Sequence, residues 1–182
     1  MPLCPNTTLL LPDRYYTVVA NTAARPTGAA LLTGMMIYQT DVGRTYLWDG
    51  SGWVIMSEPV QSFGPTVTSF SGTITTLGTV TFTYHRSDGW LDFNLVIPIT
   101  TNGTAGTTIR ATLPVAPAIP TGAASVVVAY GRETSVTGKS FIGTYQATAA
   151  VLELNNYDNS YVGGSGYTLH TAGRYRMTTR YS

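Results

Sequence analysis

Charge is what this chain has least of. Only 10% of its 182 residues are Asp, Glu, Lys or Arg, against roughly 25% in an ordinary globular domain. The ten basic residues, nearly all arginine, are spread along the sequence and leave a formal net charge of +1. That distribution offers no basic stripe to a phosphate backbone, so nucleic acid is not an expected partner. Cysteine is represented by Cys4 alone, which excludes an intramolecular disulfide and a cysteine metal cluster and fits assembly in a reducing cytoplasm. Long apolar runs are missing too. Leu9, Leu10 and Leu11 are stopped at once by Pro12, short of the apolar stretch of about 7 to 15 residues that a secretory signal needs. No run approaches the roughly 20 residues of a membrane helix, so neither export by a signal nor membrane insertion is expected.

Threonine, glycine and tyrosine stand where the charge is lacking. Thr and Tyr suit a pleated, half-buried surface and Gly suits tight turns, so the exchange points to sheet rather than helix. Residues 1–33 mix Pro2, Pro5, Pro12 and Pro26 with small residues and alternate only over Tyr15 to Val19. They read as an extended, anchoring N-terminal arm with one short strand. A helix over Ala20 to Ala24 would be stopped by Arg25-Pro26, because the residue before proline disfavours the helical region.

Residues 34–60 carry the clearest local pattern. Met35 to Gln39, Arg44 to Trp48 and Trp53 to Met56 alternate, separated by Asp41-Val42-Gly43 and Asp49-Gly50-Ser51-Gly52. Asp and Gly at those points suit hairpin loops, and the second loop sets Trp48 opposite Trp53. The expectation is a small three-stranded meander, too small to bury its own apolar surface. It therefore packs on the main domain, on another copy of the chain, or on a partner, with Tyr38, Tyr46, Trp48 and Trp53 as the candidate oligomerisation or attachment residues.

Residues 61–182 form the larger domain. Val80, Phe82 and Tyr84 share one face. After the Ser87-Asp88-Gly89 turn, Leu91, Phe93, Leu95 and Ile97 share another, opposite Asp92, Asn94 and Val96. Ile109, Ala111 and Leu113 follow, then Val126, Val128 and Tyr130, a weaker strand around Phe141, Val151 to Leu154, and a last strand from about Tyr167 to Met177. Strands separated by Gly, Pro, Asn and Ser clusters predict an antiparallel, jelly-roll-like β-sandwich. A small barrel is the alternative.

Catalytic chemistry is poorly supplied. His85 and His170 each lie in a threonine-rich strand, and Gly163-Gly164-Ser165-Gly166 lacks the G-x-S-x-G spacing. Asp88 and Asp92 are the one close carboxylate pair on a hairpin, but Asp88 sits where a turn wants Asp and Asp92 alternates outward. No spacing suggests a metal site, and no glycine cluster leads into a helix as a phosphate loop does. The expectation is a protein without catalytic residues or cofactor. Asn6-Thr7-Thr8 and Asn102-Gly103-Thr104 match the glycosylation acceptor pattern, which chance explains in so Thr-rich a chain. Tyr157, Asp158, Tyr161 and Tyr167, set among Asn155, Asn156 and Asn159, form a candidate receptor-binding loop. Aromatic faces, short amides and a carboxylate can stack a sugar ring and bond its hydroxyls. The alternative is a loop whose tyrosines pack on the sandwich edge or on a neighbouring copy.

The run Ala24-Arg25-Pro26-Thr27, followed by Gly34-Met35-Met36-Ile37-Tyr38-Gln39-Thr40-Asp41-Val42-Gly43-Arg44-Thr45-Tyr46-Leu47-Trp48-Asp49-Gly50-Ser51-Gly52-Trp53, resembles a module of bacteriophage tail and fibre proteins. More loosely, Pro65-Thr66-Val67-Thr68, Tyr84-His85-Arg86-Ser87-Asp88-Gly89 and Leu169-His170-Thr171-Ala172-Gly173-Arg174-Tyr175 resemble their terminal domains. The resemblance implies a virion component assembled in the host cytoplasm, commonly a homotrimer, held to other virion proteins by its N-terminal arm and often contacting a host-surface glycan. With no repeated shaft, a short fibre, spike or capsid fibre is expected. Capsid decoration or cementing is the alternative, and a trimeric polysaccharide depolymerase using Asp88, Asp92 and Asp158 is a third reading.

Overall fold

The structure, a computed structural model, describes residues 16–156 and 160–178. It is all-β. Of the described residues, those up to Pro59 together with Arg86–Asp88 form one compact unit, and Val60–His85 with the residues from Gly89 onward form a second.

The first unit is a four-stranded mixed sheet in the order β1 (Tyr16–Val19), β2 (Met36–Gln39), β3 (Arg44–Trp48), β4 (Trp53–Ser57). Three of these strands are the expected meander. The addition is β1, which pairs parallel with β2 from Tyr16↔Met36 to Val19↔Gln39, so this part of the arm is built into the sheet. A parallel pair needs a crossover of a dozen or more residues. Here residues 20–35 supply it, with short 3-10 turns at Thr22–Ala24 and Gly28–Ala30. The first turn is capped by the Asn21 side chain, which accepts from the N–H of Ala24 at 3.1 Å, and it ends at Arg25 in extended conformation before Pro26. Register sets Ile37, Tyr46 and Ile55 side by side. With Val19 they form a small core of buried side chains, against which Val42 and Trp53 pack.

The second unit is a curled, antiparallel ten-stranded sheet whose arrangement is that of a β-sandwich. Its strands are β5 (Gln61–Phe63), β6 (Val67–Ser71), β7 (Thr76–Leu77), β8 (Thr81–Ser87), β9 (Trp90–Thr101), β10 (Gly106–Thr112), β11 (Ser125–Glu133), β12 (Ser140–Gln146), β13 (Val151–Asn156) and β14 (Tyr167–Arg176). Their order is β5-β8-β9-β14-β11-β12-β13-β10-β6, with β7 beside β9. One face is dry: Leu91, Phe93, Leu95 and Ile97 of β9 and Ile109, Ala111, Leu152, Leu154 and Leu169 are at most 2% exposed.

The curl follows from what lies at its middle. Gly173, Ala129 and Gly143 are consecutive cross-strand partners in β14, β11 and β12, so the inner surface there has almost no side-chain volume and neighbours can lean across it. Phe93 lies over its partner Gly173, and Phe141 over its partner Gly131. Aromatic cover of a strand glycine is a recurrent way to fix register and curvature. Phe93 also stacks on Phe82 with centroids 5.2 Å apart, and Phe63 and Tyr175 meet the same pair at 5.5 and 6.0 Å.

A bulge between Val127 and Ala129 breaks the alternation of β11. Val128 and Ala129 are both buried, and Tyr130 is turned outward with 70% of its surface exposed. The simple period-two pattern groups Tyr130 with Val126 and Val128. The extra residue of the bulge reverses that face.

Candidate functional site

Beyond the bulge, alternation fixes what the second unit shows to solvent on the outer side of β9, β14 and β11. Register aligns these residues in rows across the sheet. Asn94 pairs with Ala172 and Ala172 with Tyr130; Val96 pairs with His170 and His170 with Arg132; Asp92 pairs with Arg174. Strands lie about 4.8 Å apart, so Asn94 and Tyr130 stand roughly 10 Å apart with only the methyl group of Ala172 between them. The missing volume is an open trough. It consists of a depression of about 270 Å³ towards Thr83, His85 and Asp92 and one of about 370 Å³ towards Tyr130, Arg132 and His170, and Asn94 and Ala172 line both.

Charge around the trough is unevenly placed. Asp92 faces the Arg174 guanidinium at 3.4 Å, and that guanidinium also lies over the Trp90 ring, 5.2 Å from its centroid. Arg132 uses its Nε to donate to the Gly138 carbonyl at 2.9 Å. Among the described residues Arg132 has no carboxylate partner, and the side chains of Asn94 and Tyr130 hydrogen-bond to none.

One end of β11 is pinned by Glu133, a fully buried carboxylate. It accepts from the N–H groups of Ser135 (2.6 Å), Val136 (3.0 Å), Thr137, Gly138 (3.1 Å) and Thr168 (3.3 Å), and from the Thr137 hydroxyl (2.9 Å). Burial pushes its pKa up, but the N–H groups of Thr137, Ser135 and Val136 and the Thr137 hydroxyl outweigh that and hold it at about 2. The β11–β12 loop, and with it Arg132 and Gly138, is thus wrapped around a fixed anion.

The residues expected to bind a receptor are differently disposed. Tyr157 and Asp158 lie outside the described residues, as do Cys4 and Asn6. Tyr161 turns back on the fold: its hydroxyl donates to Asn102 Oδ1, its ring lies over Gly163, and burial pushes its pKa up to about 12. The Tyr167 ring lies over Gly164. Both tyrosines therefore spend a ring face on a glycine of the segment before β14.

In the first unit Tyr46 is 4% exposed and carries the Arg25 guanidinium 3.9 Å above its ring, while Arg25 Nε donates to Gln39 Oε1 at 2.7 Å. Its aromatic face is used inside the unit. Trp48 and Trp53 are paired in register and meet edge to face at 5.5 Å, both partly buried, and Tyr38 is also half-buried. Of the suspected carboxylates, Asp88 occupies a positive-φ turn position and Asp92 is paired with Arg174. Among the described residues no group of His, Cys, Asp and Glu is placed to hold a metal ion.

Comparison of the chain with protein-family models, with curated proteins and with solved structures finds no match.

Proposed function

We propose that this chain is a non-enzymatic virion structural protein, a short phage fibre or spike that assembles as a homotrimer and touches a host-surface glycan. The carrying observation is the pattern of residues 24–53. Arg25, the Asp41-Val42-Gly43 and Asp49-Gly50-Ser51-Gly52 turns and the Trp48/Trp53 pair resemble a phage tail and fibre module, and each has a defined task in the small sheet. Arg25 caps Tyr46, Gly43 and Gly50 take positive φ, and Asp49 Oδ1 accepts from the Ser51 and Gly52 N–H groups at 2.8 and 2.9 Å. A second support is the open trough on the larger unit, shaped for a surface ligand rather than an enclosed substrate.

In this reading the N-terminal arm joins the chain to other virion proteins and the larger unit faces outward. Labelling the protein on intact particles, together with its mass in solution by light scattering, tests it. The expected result is label on tail or capsid and a trimer mass. A chain that is monomeric at micromolar concentration and absent from purified particles refutes it. Adding excess full chain to an adsorption assay separates the roles within this reading: reduced adsorption supports receptor contact, and unchanged adsorption supports capsid decoration or cementing.

A further inference from the structure

We infer that the trough over Ala172 binds a carboxylate-bearing saccharide, with Tyr130 as the stacking platform, Asn94 as the hydroxyl partner and Arg132 as the anion anchor. The inference rests on the reading of the larger unit as a glycan-contacting surface and names both the place and the class of sugar.

Shape comes first. A row in which a methyl group lies between an amide and a phenol leaves a notch the width of two strand spacings, open to solvent and floored by backbone. A flat ring with polar edges fits such a notch, whereas a compact apolar ligand gains little from it because so little of its surface would be buried. Among the described residues Tyr130 is the most exposed of the large hydrophobic side chains, at 70%. Its ring is offered to solvent with no described partner on its hydroxyl. Asn94 supplies two donors and an acceptor, the set that a sugar hydroxyl uses.

Charge decides the class. Among the lining residues the trough has one carboxylate, Asp92, and it faces the Arg174 guanidinium at 3.4 Å. Arg132 keeps both terminal guanidinium nitrogens free of any described carboxylate, because only Nε is engaged. A guanidinium with its fork unused binds a planar carboxylate through two parallel hydrogen bonds. Arg132 is also held in place, since the Gly138 carbonyl that fixes its Nε belongs to the loop wrapped around Glu133. A neutral sugar offers that fork no charged acceptor. A second copy of the chain would bring no excess of acidic groups, given only nine Asp and Glu in the sequence.

The test uses the full chain and an array of oligosaccharides of glucuronic, galacturonic and sialic acids, each beside a neutral counterpart of equal length. At least one acidic member is expected to bind about tenfold tighter than its neutral counterpart, the factor that one charge-assisted hydrogen bond supplies. Arg132→Gln should abolish that preference. Ala172→Leu, an outward-facing change that fills the notch, should weaken binding about tenfold while leaving the thermal midpoint and the solution mass unchanged. Equal retention of every acidic and neutral pair, or wild-type binding by Ala172→Leu, overturns the inference. So does an Ala172→Leu variant whose oligomer dissociates, because the face would then be an interface between copies. None of these outcomes bears on whether the protein is present on particles, which labelling scores separately.

Discussion

Replacing Glu133 by Gln swaps one carboxylate oxygen for an NH2 group among the N–H donors of Ser135, Val136, Thr137, Gly138 and Thr168. At least two of those donors then face another donor. A hydrogen bond to a charged group contributes about 1.5–3 kcal/mol and a stranded buried donor costs about 1–3 kcal/mol, but a surface loop can relax and admit water. The expected loss is therefore about 2–4 kcal/mol, rather than the sum over all partners. That is a fall of about 4–16 °C in the melting temperature if the chain unfolds as one cooperative body of about 150–250 residues, and more if the second unit melts alone. The carboxyl has a lower pKa in the folded protein, about 2, than its ordinary 4.5. Its contribution is thus complete above about pH 4.5 and is lost as the pH falls towards 2, where the folded state can no longer hold the proton off. Urea denaturation of wild type and Glu133→Gln at pH 7 and at pH 2.5 tests both halves. The gap should be largest at pH 7 and should narrow in acid. Amide exchange should show the loop N–H groups protected in the wild type and released in the variant. A gap that stays constant with pH, or is under about 0.5 kcal/mol at pH 7, refutes the assignment of Glu133 as the anion that organises the loop.

Two further outcomes follow from the same sheet. A Cβ on Gly173 would lie 2.3 Å from the Phe93 ring and 2.6 Å from the Val128 carbonyl oxygen, so Gly173→Ala should cost about 1–3 kcal/mol by overpacking. Adding Phe93→Leu should recover part of that loss, and strict additivity of the two changes in a denaturation cycle would disprove their contact. Tyr161 should titrate near 12 rather than its ordinary 10. Because the unfolded phenol gives up its proton first, stability should fall as the pH rises above 10. Absorbance titration of wild type against Tyr161→Phe isolates this phenol, and a midpoint at 10 would contradict its burial.

Much of this fold was legible from period-two alternation where a strand is long and one-sided. The shared face of Leu91, Phe93, Leu95 and Ile97 is legible because β9 has no bulge over them and its outer residues, Asp92 and Asn94, are polar. The Trp48/Trp53 register was legible because the four residues between them contain an Asp and two glycines. What the pattern missed lacks such marks. Strands β5, β6 and β7 are short and rich in Ser and Thr, so neither face stands out as apolar. The parallel pairing of β1 with β2 spans a crossover whose residues carry no helical period. Pairing across the sheet was not legible at all: β14 lies between β9 and β11, and no local signal relates residue 172 to residues 94 and 130.

The trough was hidden for that reason and for one more. Tyr130 reads as a core residue because Val126 and Val128 precede it at the right interval. The bulge at Val127–Ala129 buries two successive residues and so passes Tyr130 to the other face. A bulge that costs ladder hydrogen bonds yet re-aims one large aromatic side chain is what a strand bearing a binding residue is expected to contain. On the same strand, Gly131 lets Phe141 close the inner side without steric conflict. The curl therefore stays packed while its outer surface gains an exposed ring beside Arg132, which has no carboxylate partner among the described residues. The outward turn of Tyr130 against simple alternation and the proposed ligand platform have a common physical origin, and the bulge is where the demands of the core and of the outer surface are reconciled.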